Sequence, residues 1–359
     1  MKSSGIGGQA VMEGVMMKNG DKYAVAVRKP DQEIEVQVNE YVSLQKRYPV
    51  LKFPIIRGVA AFIESMTIGI KTLTYSSSFF EEEGEVKEKT KKQEFLSTFL
   101  LIFTSVALAV GIFMIVPYFA SRFLGKHIES QVVLNLIEGA IRIVMFVGYI
   151  LAISLMPDIK RFFMYHGAEH KSINCIEHGL ELTVENVRRS SKEHKRCGTS
   201  FMFLVMFISI IFFMFIHVES PVLRIVYRIL LVPVVAGVSY EFIRLAGSSD
   251  SLFVRIISRP GLWLQGLTTK EPDDQMIEVA IRSVESVFDW KQYIADNFSD
   301  TKTAENDSQN ADAGSKNEKA VKTNKEIEED AELEELEEII RNQKKKHSDS
   351  KSKEGQETA

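Results

Sequence analysis

Residues Phe95 to Ser121 read FLSTFLLIFTSVALAVGIFMIVPYFAS, an unbroken run without a charged side chain. A helix needs about 20 apolar residues, rising 1.5 Å each, to cross a hydrocarbon core of about 30 Å. This run is long enough, and its reading decides the fold class. The averages point elsewhere: the 359 residues are 45% hydrophobic and 26% charged, with a formal net charge of -4. That profile suits a soluble protein, but here apolar and charged residues are segregated into separate stretches.

Three further runs follow. Val132 to Met156 is interrupted only by Glu138 and Arg142, and Cys197 to Ile216 carries no acidic or basic residue. Val222 to Ile243 holds Arg224, Arg228 and Glu241. The expectation is four transmembrane helices. Charges inside a span are costly unless paired. Glu138 and Arg142 are four apart, which predicts an ion pair along one helix, facing the bundle as structural glue.

The first residues lack the apolar core of a signal peptide, so the first span reads as an internal anchor. Lys87, Lys89, Lys91 and Lys92 precede it. The 157–196 loop carries Lys160, Arg161, Arg188, Arg189, Lys192, Lys195 and Arg196, whereas the loop after span one has only Arg122 and Lys126. This bias puts both termini and the 157–196 loop in the cytoplasm, with Arg224 and Arg228 counting against it. Cys175 and Cys197 both fall in that loop, where a thiol or a metal ligand is a more natural reading than a disulfide.

The chain divides into five regions. Residues 1–52 form a small β-containing domain, with Tyr23 to Arg28 and Glu33 to Val38 as a hairpin around Lys29-Pro30-Asp31-Gln32. Residues 53–94 hold an amphipathic helix from Pro54 to about Ser76 and a charged connector over 81–93. Arg57, Glu64 and Lys71 lie on one stripe of that helix, so it belongs in the membrane interface or against the bundle, with a fifth span as the costlier alternative. Residues 95–243 are the four-helix core. Residues 244–292 are an interfacial segment and a C-terminal helix that starts at the acids Glu271, Asp273 and Asp274. Residues 293–359 are a polar tail with too little apolar content for a core, within which 327–343 reads as a transient charged helix. The expected class is therefore mainly α, a polytopic membrane protein with interfacial helices and a disordered tail. The lipid bilayer is its main partner, and the charged tail is a place for membrane-protein partners. No nucleotide-binding loop or nucleic-acid motif is present.

One string carries chemistry: Tyr165-His166-Gly167-Ala168-Glu169-His170-Lys171. On a helix, His166 and His170 lie one turn apart on one face, the spacing of H-x-x-E-H zinc hydrolases. Glu169 is then placed as general base toward an attacking water. Zinc needs a third protein ligand. Glu177, His178, His194, Cys197, Glu241 and the Glu271, Asp273, Asp274 cluster are the candidates. Glu241 ranks first, because a glutamate inside a span calls for a partner and the end of span four faces the same side as the histidines. The plain alternatives are an interfacial helix for the histidines, a basic collar around His194 and Cys197 for lipid headgroups, and a helix cap for the Asp273 cluster.

Several strings together resemble the YqhQ-like family of bacterial multi-pass membrane proteins of unknown function. They are Gly7-Gly8-Gln9-Ala10-Val11-Met12-Glu13-Gly14-Val15-Met16-Met17, Arg57-Gly58, the 165–171 string, Leu182-Thr183-Val184-Glu185-Asn186-Val187, His194-Lys195-Arg196-Cys197-Gly198-Thr199-Ser200-Phe201, and Pro260-Gly261-Leu262-Trp263-Leu264-Gln265 running on to Asp274 and Ala280. The resemblance covers roughly residues 5–285. It implies a predicted metal-dependent enzyme of the bacterial cell membrane and concentrates interest on Glu13, on His166 to His170, and on Glu271 to Asp274. If these meet in one pocket, a carboxylate-rich site would take manganese or iron beside the zinc that two imidazoles favour. Two functions are expected to compete: a hydrolase acting at the cytoplasmic membrane surface on a lipid-linked or membrane-peptide substrate, and a non-catalytic membrane scaffold or assembly factor.

Overall fold

A computed structural model of the chain describes residues 2–80, 91–125, 128, 130–194, 196–216, 218, 220–247 and 251–298. The charged connector over 81–90 and the polar tail from 299 onward, including 327–343, lie outside the described residues.

Four antiparallel strands open the fold in the order β1 Gly7–Val11, β2 Gly14–Asn19, β3 Lys22–Arg28 and β4 Ile34–Glu40. The expected hairpin is β3–β4, with Arg28 opposite Ile34. The glycine-rich start adds two strands that its composition hides. Val11 pairs with Gly14, so Met12 and Glu13 alone make the β1–β2 turn, and Glu13 takes the left-handed φ of 49°. Gly14 follows because the Ala26 carbonyl occupies the place of a Cβ.

The sheet is covered on both faces. Ala10, Val15, Met17 and Ala26 join a core with Tyr165, Ala168, Ile173 and Ile277, while Val11, Met16, Val25 and Val27 pack with Ile68 on the other side. Two-sided burial accounts for the continuous apolar run of β3, where a half-exposed strand would alternate. Residues 1–52 therefore share their core with later helices.

Eleven helices follow among the described residues. They are α1 Leu44–Arg47, α2 Ile56–Ser77, α3 Lys91–Val110, α4 Val116–Leu124, α5 Gln131–Ile153, α6 Pro157–Glu177, α7 Val184–Arg189, α8 Gly198–Met214, α9 Pro221–Ala246, α10 Leu252–Thr268 and α11 Asp274–Glu285. A π-helical turn at Gly111–Ile115 joins α3 to α4. Helix α2 buries Ala60, Glu64, Ile68, Thr72 and Ser76 at intervals of four, a single stripe. Gly58 meets Gly237 and Tyr240 of α9, Gln9 donates to Thr72 Oγ1 at 3.0 Å, and Glu64 accepts from Ser43 at 2.9 Å. The opposite face exposes Phe62, Ile63, Met66 and Leu73.

Among the described residues, three helices are long and apolar enough to cross a membrane: Leu96–Leu124, Gln131–Ile153 and Val222–Ala246. The fourth expected span, Cys197 to Ile216, is a shorter apolar helix, Gly198–Met214, with Cys197 as N-cap and Phe215 as C-cap. Its 17 residues rise about 26 Å, the lower end of what a crossing needs.

Within the bundle, Glu138 and Arg142 form the expected pair at 2.8 Å. A residue that local spacing does not reveal completes the cluster: Arg228 of α9 grips the same carboxylate with Nη1 at 2.5 Å and Nη2 at 2.8 Å. All three are buried, and the Phe213 ring lies 5.2 Å and 5.0 Å from the two guanidinium carbons.

Candidate metal centre

Helix α6 starts with Pro157 at its first turn and Asp158 beside it, both favourable there. Tyr165, Ala168, Ile173 and Ile176 bury one side against the sheet and α11. This fixes the rotation of the helix and turns His166 and His170 toward the segments around Lys192, Cys197 and Thr268.

Both imidazoles are oriented by the main chain. His166 Nδ1 lies 3.0 Å from the Thr268 carbonyl oxygen, and His170 Nδ1 lies 2.6 Å from that of Lys192. A carbonyl only accepts, so each Nδ1 donates and each Nε2 keeps its lone pair. This is how metal-binding histidines are commonly held. His166 Nε2 stands 3.3 Å from Cys197 Sγ, and one ligand atom each from His166, His170 and Cys197 lies within 4.8 Å of the others. Tetrahedral bonds of about 2.0–2.3 Å set donor separations near 3.3–3.8 Å. The donor set therefore fits a divalent ion after a small contraction. Cys197 owes its place to α8, where Sγ accepts from the Thr199 amide at 3.4 Å as the helix cap.

Glu169 completes the group. It is 4% exposed, and its Oε2 faces His170 Nε2 at 3.5 Å and His166 Nε2 at 3.9 Å. Burial pushes its carboxyl above the usual range, against the opposing pull of His166, His194 and Arg196. Strand β1 lies directly on it: a Cβ on Gly8 would come within 2.7 Å of Glu169 Cγ. The Gly7-Gly8 pair thus serves the approach of sheet to helix.

The structure does not bring the other candidates to this point. Glu241, ranked first as third ligand, is bound by Arg57, whose Nε donates at 2.7 Å; the charged partner that a glutamate near the end of a span requires is supplied by α2. Glu13 holds Arg161 through both guanidinium nitrogens, at 2.6 Å and 2.5 Å, and accepts from Tyr165 at 3.2 Å. That neighbour and burial raise the Tyr165 phenol well above its ordinary range. Glu271 pairs with Lys171 at 2.9 Å and Lys192 at 3.2 Å, and Asp274 pairs with Arg188. Asp273 caps α11 by accepting from the Met276 amide at 2.9 Å, the plain reading of that cluster. His178 bonds back to the Asn174 carbonyl at 2.7 Å. The three distant strings do meet on α6, but as ion pairs that brace it instead of carboxylates that share a metal. His194 stands beside the group, its ring centroid 5.6 Å from that of His170. Both cysteines are free thiols, and burial raises that of Cys175 to about 11. The carbonyls of Thr268 and Lys192 are the contributors that side-chain patterns could not reveal.

Residues 53–290 match the family described as "Protein of unknown function (DUF1385)". The chain belongs to this family. It is also 37% identical over 286 residues to the "Uncharacterized protein YqhQ" of Bacillus subtilis (strain 168), covering 77% of this chain and 90% of that protein. No solved structure matches. The DUF1385 region includes His166, Glu169, His170 and Cys197, while the sheet that covers Glu169 lies before it.

Gly167 tests this architecture. A Cβ there would run into the Lys270 carbonyl oxygen, and Lys270 is tied to α6 by its amide, which donates to the Phe163 carbonyl at 2.9 Å. Neither backbone has room to yield. Gly167→Ala is expected to cost about 1–3 kcal/mol, read as a lower thermal midpoint, and to displace the Thr268 carbonyl from His166. An unchanged midpoint would show that this contact is not tight.

Proposed function

We propose that this chain is a membrane-embedded, metal-dependent hydrolase that works at the cytoplasmic surface of a bacterial cell membrane. One observation carries the reading. Two imidazoles give their Nδ1 protons to main-chain carbonyls, His166 turns Nε2 onto the Cys197 sulfur, and one ligand atom of His170 lies within 4.8 Å of both, beside a buried glutamate. A divalent ion held by His166, His170 and Cys197 would supply Lewis-acid polarisation of the scissile bond. Zinc suits two imidazoles and a thiolate better than manganese or iron does. Glu169 has no ion pair to lysine or arginine among the described residues, so it can accept the proton of the attacking water.

The placement of α6 supports a membrane-surface substrate, such as a lipid-linked molecule or a membrane peptide. Helix α5 ends at Ile153 and α6 begins at Pro157. His166 therefore stands only about 14 Å along α6 from the end of a candidate span. The exposed apolar faces of the three long helices, including Phe103, Leu108 and Leu230, exceed what a water-soluble surface sustains.

The scaffold reading keeps one observation of its own, the use of Glu13, Glu271 and Asp274 in ion pairs. Metal content separates the two. The full-length chain purified in detergent is expected to bind divalent metal, and His166→Ala, His170→Ala and Cys197→Ser each to lose one equivalent that Glu241→Gln retains. Metal retained in both histidine variants would overturn the proposal.

A further inference from the structure

Four side-chain nitrogen and oxygen atoms among the described residues are buried with no hydrogen-bond partner, and two of them face each other. They are Glu177 Oε2 and His194 Nε2, 3.7 Å apart. Glu177 is fully buried and His194 is 5% exposed. Native interiors rarely leave such groups unmatched, because each forfeits its hydration without a replacement.

The surroundings explain which atoms are left open. Glu177 Oε1 is saturated: it accepts from the Ser4 amide at 2.7 Å, the Ser4 hydroxyl at 2.8 Å and Arg196 Nη2 at 2.5 Å. Its second oxygen, Oε2, is left unused. His194 is fixed through its backbone, whose amide donates to Gln265 Oε1 at 3.0 Å and whose carbonyl accepts from Gln265 Nε2 at 2.7 Å. Gln265 is itself fully buried, so the main chain that carries the imidazole is anchored independently of Glu177.

The gap has the size of a cation. Bonds of about 2.0–2.2 Å from a carboxylate oxygen and an imidazole nitrogen close a 3.7 Å separation at about 120°. A water at hydrogen-bond distance of about 2.8 Å from both would be squeezed to about 80°. The gap also adjoins the first centre. The His194 ring is 5.6 Å from that of His170.

We propose that Glu177 and His194 hold a second divalent cation beside the His166, His170, Cys197 centre. This rests on the metal-dependent reading above and makes the centre binuclear. With one carboxylate and one imidazole as protein donors, water or substrate completes the shell, the habit of magnesium and manganese sites. Paired ions about 3.5–4 Å apart clamp both oxygens of a displacement, so the second ion would share the substrate with the first.

The test counts metal in the full-length chain in detergent, loaded with Mn²⁺ or Zn²⁺ and freed of excess. Two equivalents are expected, falling to one in Glu177→Gln and in His194→Gln. One equivalent in the parent, unchanged in both variants, overturns the second site and leaves the first standing. Loss of all metal in His194→Gln also overturns it, by assigning His194 to a single centre. No metal in the parent removes both readings. Because a buried variant can fail to fold, the Mn²⁺-loaded parent supplies an independent measure by electron paramagnetic resonance. An exchange-coupled pair signal is expected, and a six-line spectrum of isolated Mn²⁺ alone would sink the proposal.

Discussion

Glu169→Gln is expected to keep the metal and lose the activity. Glutamine matches the shape of the side chain lodged under Gly8, so the packing of β1 on α6 should survive. What it cannot do is accept a proton. General-base groups typically contribute a factor of about 10² or more, equal to about 3 kcal/mol of barrier. The variant should therefore show parental metal content and fail to rescue a strain lacking the protein. Full rescue by Glu169→Gln would leave the scaffold reading in possession of the field. The residue is well placed for this comparison because its near neighbours are the imidazole nitrogens at 3.5 Å and 3.9 Å, with no lysine or arginine salt bridge among the described residues whose loss would confuse the result.

Removing the charge of Glu138 is expected to have the largest effect on stability. In Glu138→Gln, Arg142 and Arg228 would remain buried at 6% and 1% exposure with no counter-charge. Breaking a buried ion pair from one side costs about 3–5 kcal/mol, roughly 10 °C of thermal midpoint for a chain of this size. Arg228→Met should cost less, because Glu138 keeps Arg142. Replacing all three by methionine should recover most of the loss, since apolar groups of similar volume can substitute for a buried ionic cluster. Midpoints in detergent for the single and triple variants check the order. A triple variant that is stable and still rescues function would establish the cluster as glue; a stable triple that fails to rescue would argue for a transport role.

The two cases differ in how far the residues alone could carry them. Spacing of four within one helix announced both the Glu138–Arg142 pair and the His166–His170 pair, because three to four residues per turn is a local property of the backbone. Asp273 as a helix cap was legible for the same reason. Arg228 was not, since nothing in its own neighbourhood points to Glu138 on another helix. Glu241 calls for a charged partner, and that partner is Arg57 on α2, far away in the chain where no local spacing points to it. Cys197 was one of several candidates that spacing could not rank. Hydropathy over Cys197 to Ile216 does not register that caps end α8 after 17 residues.

By itself, then, the sequence determined most of the helical and apolar segments, that two alternating runs, Tyr23 to Arg28 and Glu33 to Val38, favour a hairpin, and that two imidazoles share one face of α6. Each of these follows from side-chain periodicity over one or two turns. Only the tertiary structure decided that the sheet is buried on both faces, that Cys197 and not Glu241 meets the histidines, and that Thr268 and Lys192 offer the carbonyls that set their tautomers. Those contacts join positions far apart in the chain, and they depend on how whole helices pack, which no local pattern encodes.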